Sequence, residues 1–335
     1  MVTSSHPRTF KILNQLVKKY NTNITKLIAD DSLYTLSLII KIFILESGSR
    51  EFEISIPKEL NDKCTNLKRI YNCLFFWIPY LLEISYEMNK SFKLSLNVSD
   101  SGNNNFVSMV GSNYEKIVPD EYCMFEALSI SNQKILSNYQ EFKQGWMSRK
   151  NIMFWRGSTT GEEFNSLEQF KGLKRISVCS TFNVKNKFDM KITNIVQNKI
   201  PKQIIRQWLS SQNLLSNRVR ESRFSKYKYY PDLPGNNDNC GSWGTIKKHL
   251  RGNLVFQPNH SSKLLYYKYM KPWVHFIPIA LDFSDLDIKL DWAELHYEQA
   301  CNISWNGYNV ANNYLRNLKT PFIKIAKNNL EIIDN

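Results

Sequence analysis

Phe154-Trp155-Arg156-Gly157-Ser158-Thr159-Thr160-Gly161 is an aromatic, strand-like run that ends in a polar, glycine-bearing turn with an arginine at its mouth. Backbone N–H groups, hydroxyls and a guanidinium in such a turn could all meet a phosphate group. A turn of this composition also serves simply as a turn, so an anion site needs support from elsewhere. The second position of interest is Asp100. Phe92, Leu94, Leu96 and Val98 alternate with Lys93, Ser95, Asn97 and Ser99, the period of a half-buried strand, and the pattern stops at Asp100-Ser101-Gly102-Asn103-Asn104-Asn105. Open α/β sheets bind ligands beyond the C-terminal ends of their strands, which puts Asp100 at a functional edge. Its plain alternative is a turn aspartate capping its own loop.

Other reactive residues carry less. Asp285-Leu286-Asp287 spells Asp-x-Asp, but it follows Ser284 at the start of an amphipathic pattern, where acidic side chains suit the helix dipole. His275 sits in an apolar run read as a strand and is expected to orient a neighbour rather than bind metal. Cys64, Cys73, Cys123, Cys179, Cys240 and Cys301 are widely spaced, with no Cys-x-x-Cys pair and no histidine at zinc-ligand spacing. Free thiols and no structural zinc are expected.

The elements that must position these residues are read from periodicity. The first 90 residues read mainly as helix, with a strand where Phe52, Ile54 and Ile56 alternate with polar neighbours. The apolar stretches Leu36–Leu45 and Leu74–Leu82 fall far short of the roughly 20 residues of a spanning helix and read as core. Ile152 to Trp155 forms a strand that opens a second domain, and an alternation around Ile176 and Val178 suggests another. Lys226-Tyr227-Lys228-Tyr229 reads as an exposed alternating strand. A polar loop from Pro231 to Gly244 precedes a helix over Thr245–Arg251, which Gly252 ends before a strand at Leu254-Val255-Phe256. Ile288, Trp292 and Leu295 then share one helix face, and Ala300, Ile303, Gly307, Val310 and Tyr314 another.

At 335 residues and 42% hydrophobic content the chain suits two domains, expected at 1–148 and 149–320 with a tail over 321–335. Its formal charge of +14 favours anionic partners, and its basic residues are scattered rather than gathered into a tail. Met1 to Tyr20 has no apolar run of the kind a secretory signal needs, so a cytoplasmic location is expected.

Lys271-Pro272-Trp273-Val274-His275-Phe276-Ile277-Pro278-Ile279, followed by Asp282 and Ser284-Asp285-Leu286, joins the Arg156-Gly157-Ser158 turn in a wider pattern. Together the blocks resemble glycosyltransferase family 90, which contains protein O-glucosyltransferases, fungal capsule-associated proteins and bacterial lipopolysaccharide glycosyltransferases. The resemblance runs from about Ser91 to Leu315. It implies an α/β, GT-B-like fold of two facing Rossmann-like domains, with the acceptor on the N-terminal half and a nucleotide-sugar on the C-terminal half. Asn97-Val98-Ser99-Asp100 matches a strand ending in Asn-x-x-Asp whose aspartate is the general base, although Ser101-Gly102 replaces the usual aromatic and proline. Pro119-Asp120 matches a family Pro-Asp step. Donor-binding counterparts are Arg156, Gly157, Ser158 and Thr159 in the turn, Arg175 after it, and Ser242, Trp243, Gly244 and Lys248 around the later glycine-bearing loop. Asp189 and Thr193 fit an Asp-x-x-x-Thr step with no assigned chemistry, and Ser225 stands where secretory members carry a cysteine before Lys-Tyr-Lys-Tyr.

The implied activity is metal-independent, inverting transfer of a hexosyl or pentosyl group from a nucleotide-sugar, a UDP-sugar, to a surface-glycan or lipopolysaccharide-type acceptor. Asp100 would take the acceptor proton. No metal or cofactor is expected. The implied partners are the donor and a glycan or glycolipid acceptor, with peripheral contact to an anionic inner membrane face and no nucleic acid. A competing reading, favoured by the charge, by the departure after Asp100 and by Gly244 standing about where eukaryotic members carry an arginine, is a non-catalytic basic protein that binds nucleic acid or anionic glycan.

Overall fold

A computed structural model of the chain describes residues 15, 18, 23–30, 32–33, 36–57, 65–100, 102–103, 105–130, 136, 138–236 and 240–334. Cys64, Ser101, Asn104 and most of the stretch read for a secretory signal lie outside the described residues. The chain is α/β and divides into two compact units: 1–128 with 263–265 and 317–335, and 129–262 with 266–316. Residues 129–148, expected with the first domain, belong to the second unit, and 321–335, expected as a tail, belong to the first.

The first unit holds a mixed sheet. Its elements are β1 (Asn23–Asp30), β2 (Ser37–Ile44), β3 (Arg50–Pro57), α1 (Thr65–Met88), β4 (Phe92–Asn97), β5 (Val107–Ser108), β6 (Val110–Gly111) and α2 (Glu121–Ile130). The strand order is β1-β3-β2-β4, with β5 parallel beside the end of β4. The helical expectation before residue 45 is corrected: Leu38, Ile40 and Ile42 alternate into the core of β2, where β-branched side chains suit a pleated surface. Phe52, Ile54 and Ile56 are fully buried from β3, as their alternation requires.

The second unit is a fully parallel, Rossmann-like sheet. It contains α3 (Tyr139–Met147), β7 (Lys150–Ser158), α4 (Leu167–Gly172), α5 (Lys174–Phe182), β8 (Phe188–Asn194), α6 (Lys202–Ser211), β9 (Tyr227–Pro231), α7 (Thr245–Leu250) and β10 (Leu254–Pro258). After β11 (Lys263–Leu264), which pairs with β6, come β12 (Ile277–Ile279), α8 (Leu286–Leu295) and α9 (Tyr297–Arg316). The strand order is β12-β10-β9-β7-β8. The chain thus leaves β7 toward β8 on one side and returns to β9 on the other, which makes the crevice between β7 and β9 the switch point where such sheets bind ligands. Finally α10 (Lys319–Asn329) and β13 (Glu331–Ile332) return to the first unit, where Phe322 stacks on Trp77 of α1 and β13 pairs with β4.

Four local readings change. Ile176 and Val178 lie in α5, not in a strand; Ile176, Cys179 and Phe182 are buried at helical spacing. The Lys-Tyr-Lys-Tyr run is not exposed, because β9 is an interior strand and every residue from Tyr227 to Pro231 is buried. Lys228 there lies over the ring of Trp146. His275 occupies a turn before β12, with Trp273 at a φ of 63° beside it. In α8 the buried face is Leu286, Leu290 and Ala293, and Ile288 and Leu295 point to solvent. Among the described residues no helix is long and apolar enough to cross a membrane.

Candidate functional site

β7 runs through the whole Arg156-Gly157-Ser158 turn rather than stopping before it. Phe154 and Arg156 project from one face, where Phe154 stacks on Tyr227 and the guanidinium of Arg156 lies 4.3 Å above the Phe154 ring. Gly157 is required by packing: a Cβ there would overlap the indole of Trp155. Ser158 and Thr160 are hydroxyl partners. The Thr159 hydroxyl is wholly buried; it donates to the Val196 carbonyl at 2.8 Å and accepts from the Val196 N–H at 2.9 Å, tying the end of β7 to the loop after β8.

A cleft of about 1130 Å³ opens at the C-terminal ends of β7 and β8. Arg156, Gly157, Ser158, Thr193 and Asn194 line it from the strand ends, together with Arg218, Arg220, Glu221, Lys247 and Lys248. Five cationic side chains line it against one carboxylate, Glu221, which is itself paired with Lys248. Four of the nine expected donor-binding residues therefore meet in one place. They are not equally available. Arg156 spends its Nη2 on both oxygens of Asp189 at 2.7 Å, and its Nη1 on the carbonyls of Trp155 and Asp189. Lys248 is buried over the Phe224 ring; desolvation lowers its pKa, and Glu221 opposes that shift. Arg218 and Arg220 are exposed, and neither side chain has an ion-pair partner among the described residues. Residue-type reasoning missed both; the only signal was an Arg-x-Arg step in a polar segment.

Arg175 lies at the switch point. From the first turn of α5 it donates to the Ser158 carbonyl at 3.1 Å, at the end of β7, and to the Pro234 carbonyl at 2.6 Å, just after β9. It also lines a second hollow of about 590 Å³ with Thr160, Gly161, Lys174 and Pro234. Ser242 and Gly244 line neither hollow and belong to a loop organised by Asp232, a buried carboxylate beyond β9. Asp232 Oδ1 accepts from the Ser242 N–H at 2.9 Å and the Thr245 hydroxyl at 2.5 Å, and a Cβ on Gly241 would strike the same carboxylate. Burial raises the pKa of Asp232. Trp243, between Ser242 and Gly244, is half-buried.

Asp285 precedes α8 and accepts from the Ala280 N–H, while Asp287 pairs with Lys185. Both belong to the helix start. His275 Nδ1 accepts from the Lys271 N–H at 2.8 Å and so orders the turn before β12. The five described cysteines are buried thiols.

Asp100 belongs to the first unit. Asn97 of the Asn-x-x-Asp step is a turn-former: its Oδ1 accepts from the Ser99 N–H and hydroxyl, and its amide donates to Ser37. Asp100 Oδ1 accepts from Arg69 Nη1 at 2.7 Å.

The family model of glycosyl transferase family 90 matches residues 128–319, more than half of the chain and all of the cationic cleft. This chain belongs to glycosyl transferase family 90. The family-90 chain is 32% identical over 92 residues to protein O-glucosyltransferase 2 of Danio rerio, a stretch that is 28% of this chain and 18% of that protein. It is 34% identical over 55 residues to the uncharacterized protein 035R of invertebrate iridescent virus 3, covering 16% of this chain and 5% of that one. It thus spans less than a fifth of the length of these curated relatives. Among solved structures it is similar to a glycosyltransferase from Rickettsia africae at 11% identity, with 98% of this chain and 82% of that one covered and a TM-score of 0.38. The α/β, GT-B-like class expected from the sequence accords with this membership.

Proposed function

We propose that the family-90 chain transfers a hexosyl or pentosyl group from a UDP-sugar to a hydroxyl of a surface-glycan or lipopolysaccharide-type acceptor, with inversion. The observation that carries this reading is the cationic cleft at the ends of β7 and β8, which lies within the stretch matched by the family model. In the step, Asp100 takes the acceptor hydroxyl proton, the hydroxyl oxygen bonds to the anomeric carbon, and the bond from that carbon to the diphosphate oxygen breaks. Negative charge grows on the departing diphosphate. Preorganised cations and N–H groups stabilise it, and here Arg218, Arg220 and Lys247 supply the charge around the Ser158 turn. Arg156 and Lys248, already paired, shape the cleft, while Arg175 holds the two sides of the switch point. Overall positive charge suits work on phosphorylated or lipid-linked glycan at an anionic membrane face on the cytoplasmic side.

The test is a thermal-shift and UDP- or GDP-release screen with UDP-glucose, UDP-xylose, UDP-N-acetylglucosamine and GDP-mannose, because a ligand that binds only the folded chain raises its melting temperature. At least one UDP-sugar is expected to protect the fold and release UDP. Release is expected to survive EDTA. If chelation abolishes it and magnesium restores it, the metal-free step is wrong. Lack of protection by every nucleotide-sugar, beside oligonucleotide binding whose logarithm falls steeply with log salt, would replace this reading by the basic-binder one.

A further inference from the structure

Asp100 is one end of a chain of charged groups rather than a solitary turn carboxylate. Arg69 and Asn72 lie one turn apart on α1 and share a face. Arg69 Nη1 donates to Asp100 Oδ1 at 2.7 Å, and its Nε lies 3.2 Å from Glu121 Oε1. Asn72 donates to the other Glu121 oxygen at 3.0 Å. Glu121 is itself fixed, because Asp120 accepts from the Cys123 N–H at 2.9 Å and so caps the first turn of α2.

We propose that Arg69 and Glu121 are positioning residues for Asp100: the guanidinium bridges two carboxylates, Glu121 holds Arg69 in place, and Arg69 sets the orientation of the proton-accepting group. The inference rests on the reading of Asp100 as the base. Exposure grades along the chain in the sense this role requires, since the side chains of Glu121 and Arg69 are 11% and 13% exposed and that of Asp100 is 26%. The two inner groups are shielded and the outer one opens to an acceptor. The turn is also fixed by Asn97, whose Oδ1 accepts from the Ser99 N–H and hydroxyl and whose amide donates to the Ser37 hydroxyl. Asp100, Glu121, Tyr122 and Cys73 all interact with the charge of Arg69, so one cation serves a group of acids, while Asp120 acts on Glu121, Tyr122 and Cys73. Burial raises the pKa of Glu121, and the Asn72 hydrogen bond and Arg69 oppose that rise.

The test follows UDP release by the full chain from the UDP-sugar that gives most turnover in the screen, across pH 4.5 to 9, with melting temperature measured on every variant. Asp100→Asn is expected to lose about 100-fold or more in kcat. Arg69→Gln is expected to lose about 10- to 100-fold in kcat, as misplacement of a catalytic group does, with little change in KM. Its acid limb should move to higher pH, because carboxylates that lose a neighbouring cation hold their protons more tightly. Glu121→Gln should lose less, and Arg69→Lys should recover part of the pH profile. If Asp100→Asn is inactive while Arg69→Gln keeps native kcat and an unmoved acid limb, the positioning inference is overturned and the base stands. A kcat loss in Arg69→Gln that follows its melting temperature, with the pH profile in place, assigns Arg69 to the fold and overturns it equally. Full activity in Asp100→Asn, or no release from any donor by the native chain, overturns the reading beneath.

Discussion

A guanidinium can serve a phosphate only with donors it has not already committed. Arg156, the residue that the sequence pattern singles out, has committed its fork to Asp189 across the β7–β8 pair. Arg218 and Arg220 have not, and they stand exposed at the same cleft. Arg218→Ala and Arg220→Ala are therefore expected to leave the melting temperature of the free chain nearly unchanged, since exposed substitutions stay within about 0.5 kcal/mol, while reducing the shift produced by UDP-sugar. Arg156→Ala should lower the melting temperature itself, because it strands the Asp189 carboxylate at a cost of roughly 1–3 kcal/mol. Thermal melts with and without nucleotide separate the two behaviours. A double Arg218/Arg220 variant that retains the whole nucleotide shift would move the diphosphate contact elsewhere.

At the scale of elements, what was legible followed one-dimensional pattern. The alternations at β3 and β4, the apolar run at β7 and the helix-glycine-strand sequence of α7, Gly252 and β10 all form as their periodicity requires, with Gly252 at a φ of 69°. What pattern could not show was which strand is interior. Lys226-Tyr227-Lys228-Tyr229 alternates like an exposed edge, but β9 lies between β7 and β10, and Lys228 is accommodated by stacking on Trp146. Distance along the chain hid the rest: Arg69 lies 31 residues from Asp100, and Arg175 meets a carbonyl 59 residues away. Asp232 was missed in the same way, since only the fold brings Ser242 and Thr245 onto it. Because burial already disfavours its charge, Asp232→Asn is expected to fold and bind UDP-sugar nearly as the native chain does. Asp232→Leu and Gly241→Ala, which remove the acceptor or push it aside, should each cost about 1–3 kcal/mol and release the 241–244 loop. Chemical denaturation gives the cost, and hydrogen exchange across 241–250 reports the loop. Equal protection in all three variants would show that Asp232 does not organise it.

For the whole molecule, the least forgiving group is one with no part in the proposed chemistry. His249 of α7 is fully buried, neither ring nitrogen has a hydrogen-bond partner among the described residues, and Gly307 packs so closely that a Cβ there would meet the ring. Desolvation, and then the neighbouring His275, push its pKa down to about 3 from 6.5. Below pH 6.5 the unfolded chain therefore takes up a proton that the native chain refuses. The stability associated with neutral His249 is fully present above that pH and is lost as pH falls toward 3, by at most ~1.4 kcal/mol per unit. Asp120, Glu121 and Asp232 act in the opposite sense, because burial raises their pKa values and the native state binds their protons first. The net acid response of the native chain mixes these contributions, so the comparison must be made between variants. His249→Leu keeps similar bulk and removes the titration; it is expected to match or exceed the native stability at pH 7.5 and to decline less steeply between pH 6.5 and 4.5. Urea unfolding at pH 7.5, 6.5, 5.5 and 4.5 measures both slopes. Parallel curves for the two proteins would mean that His249 takes up its proton without unfolding the chain, and the burial argument for this residue would fail.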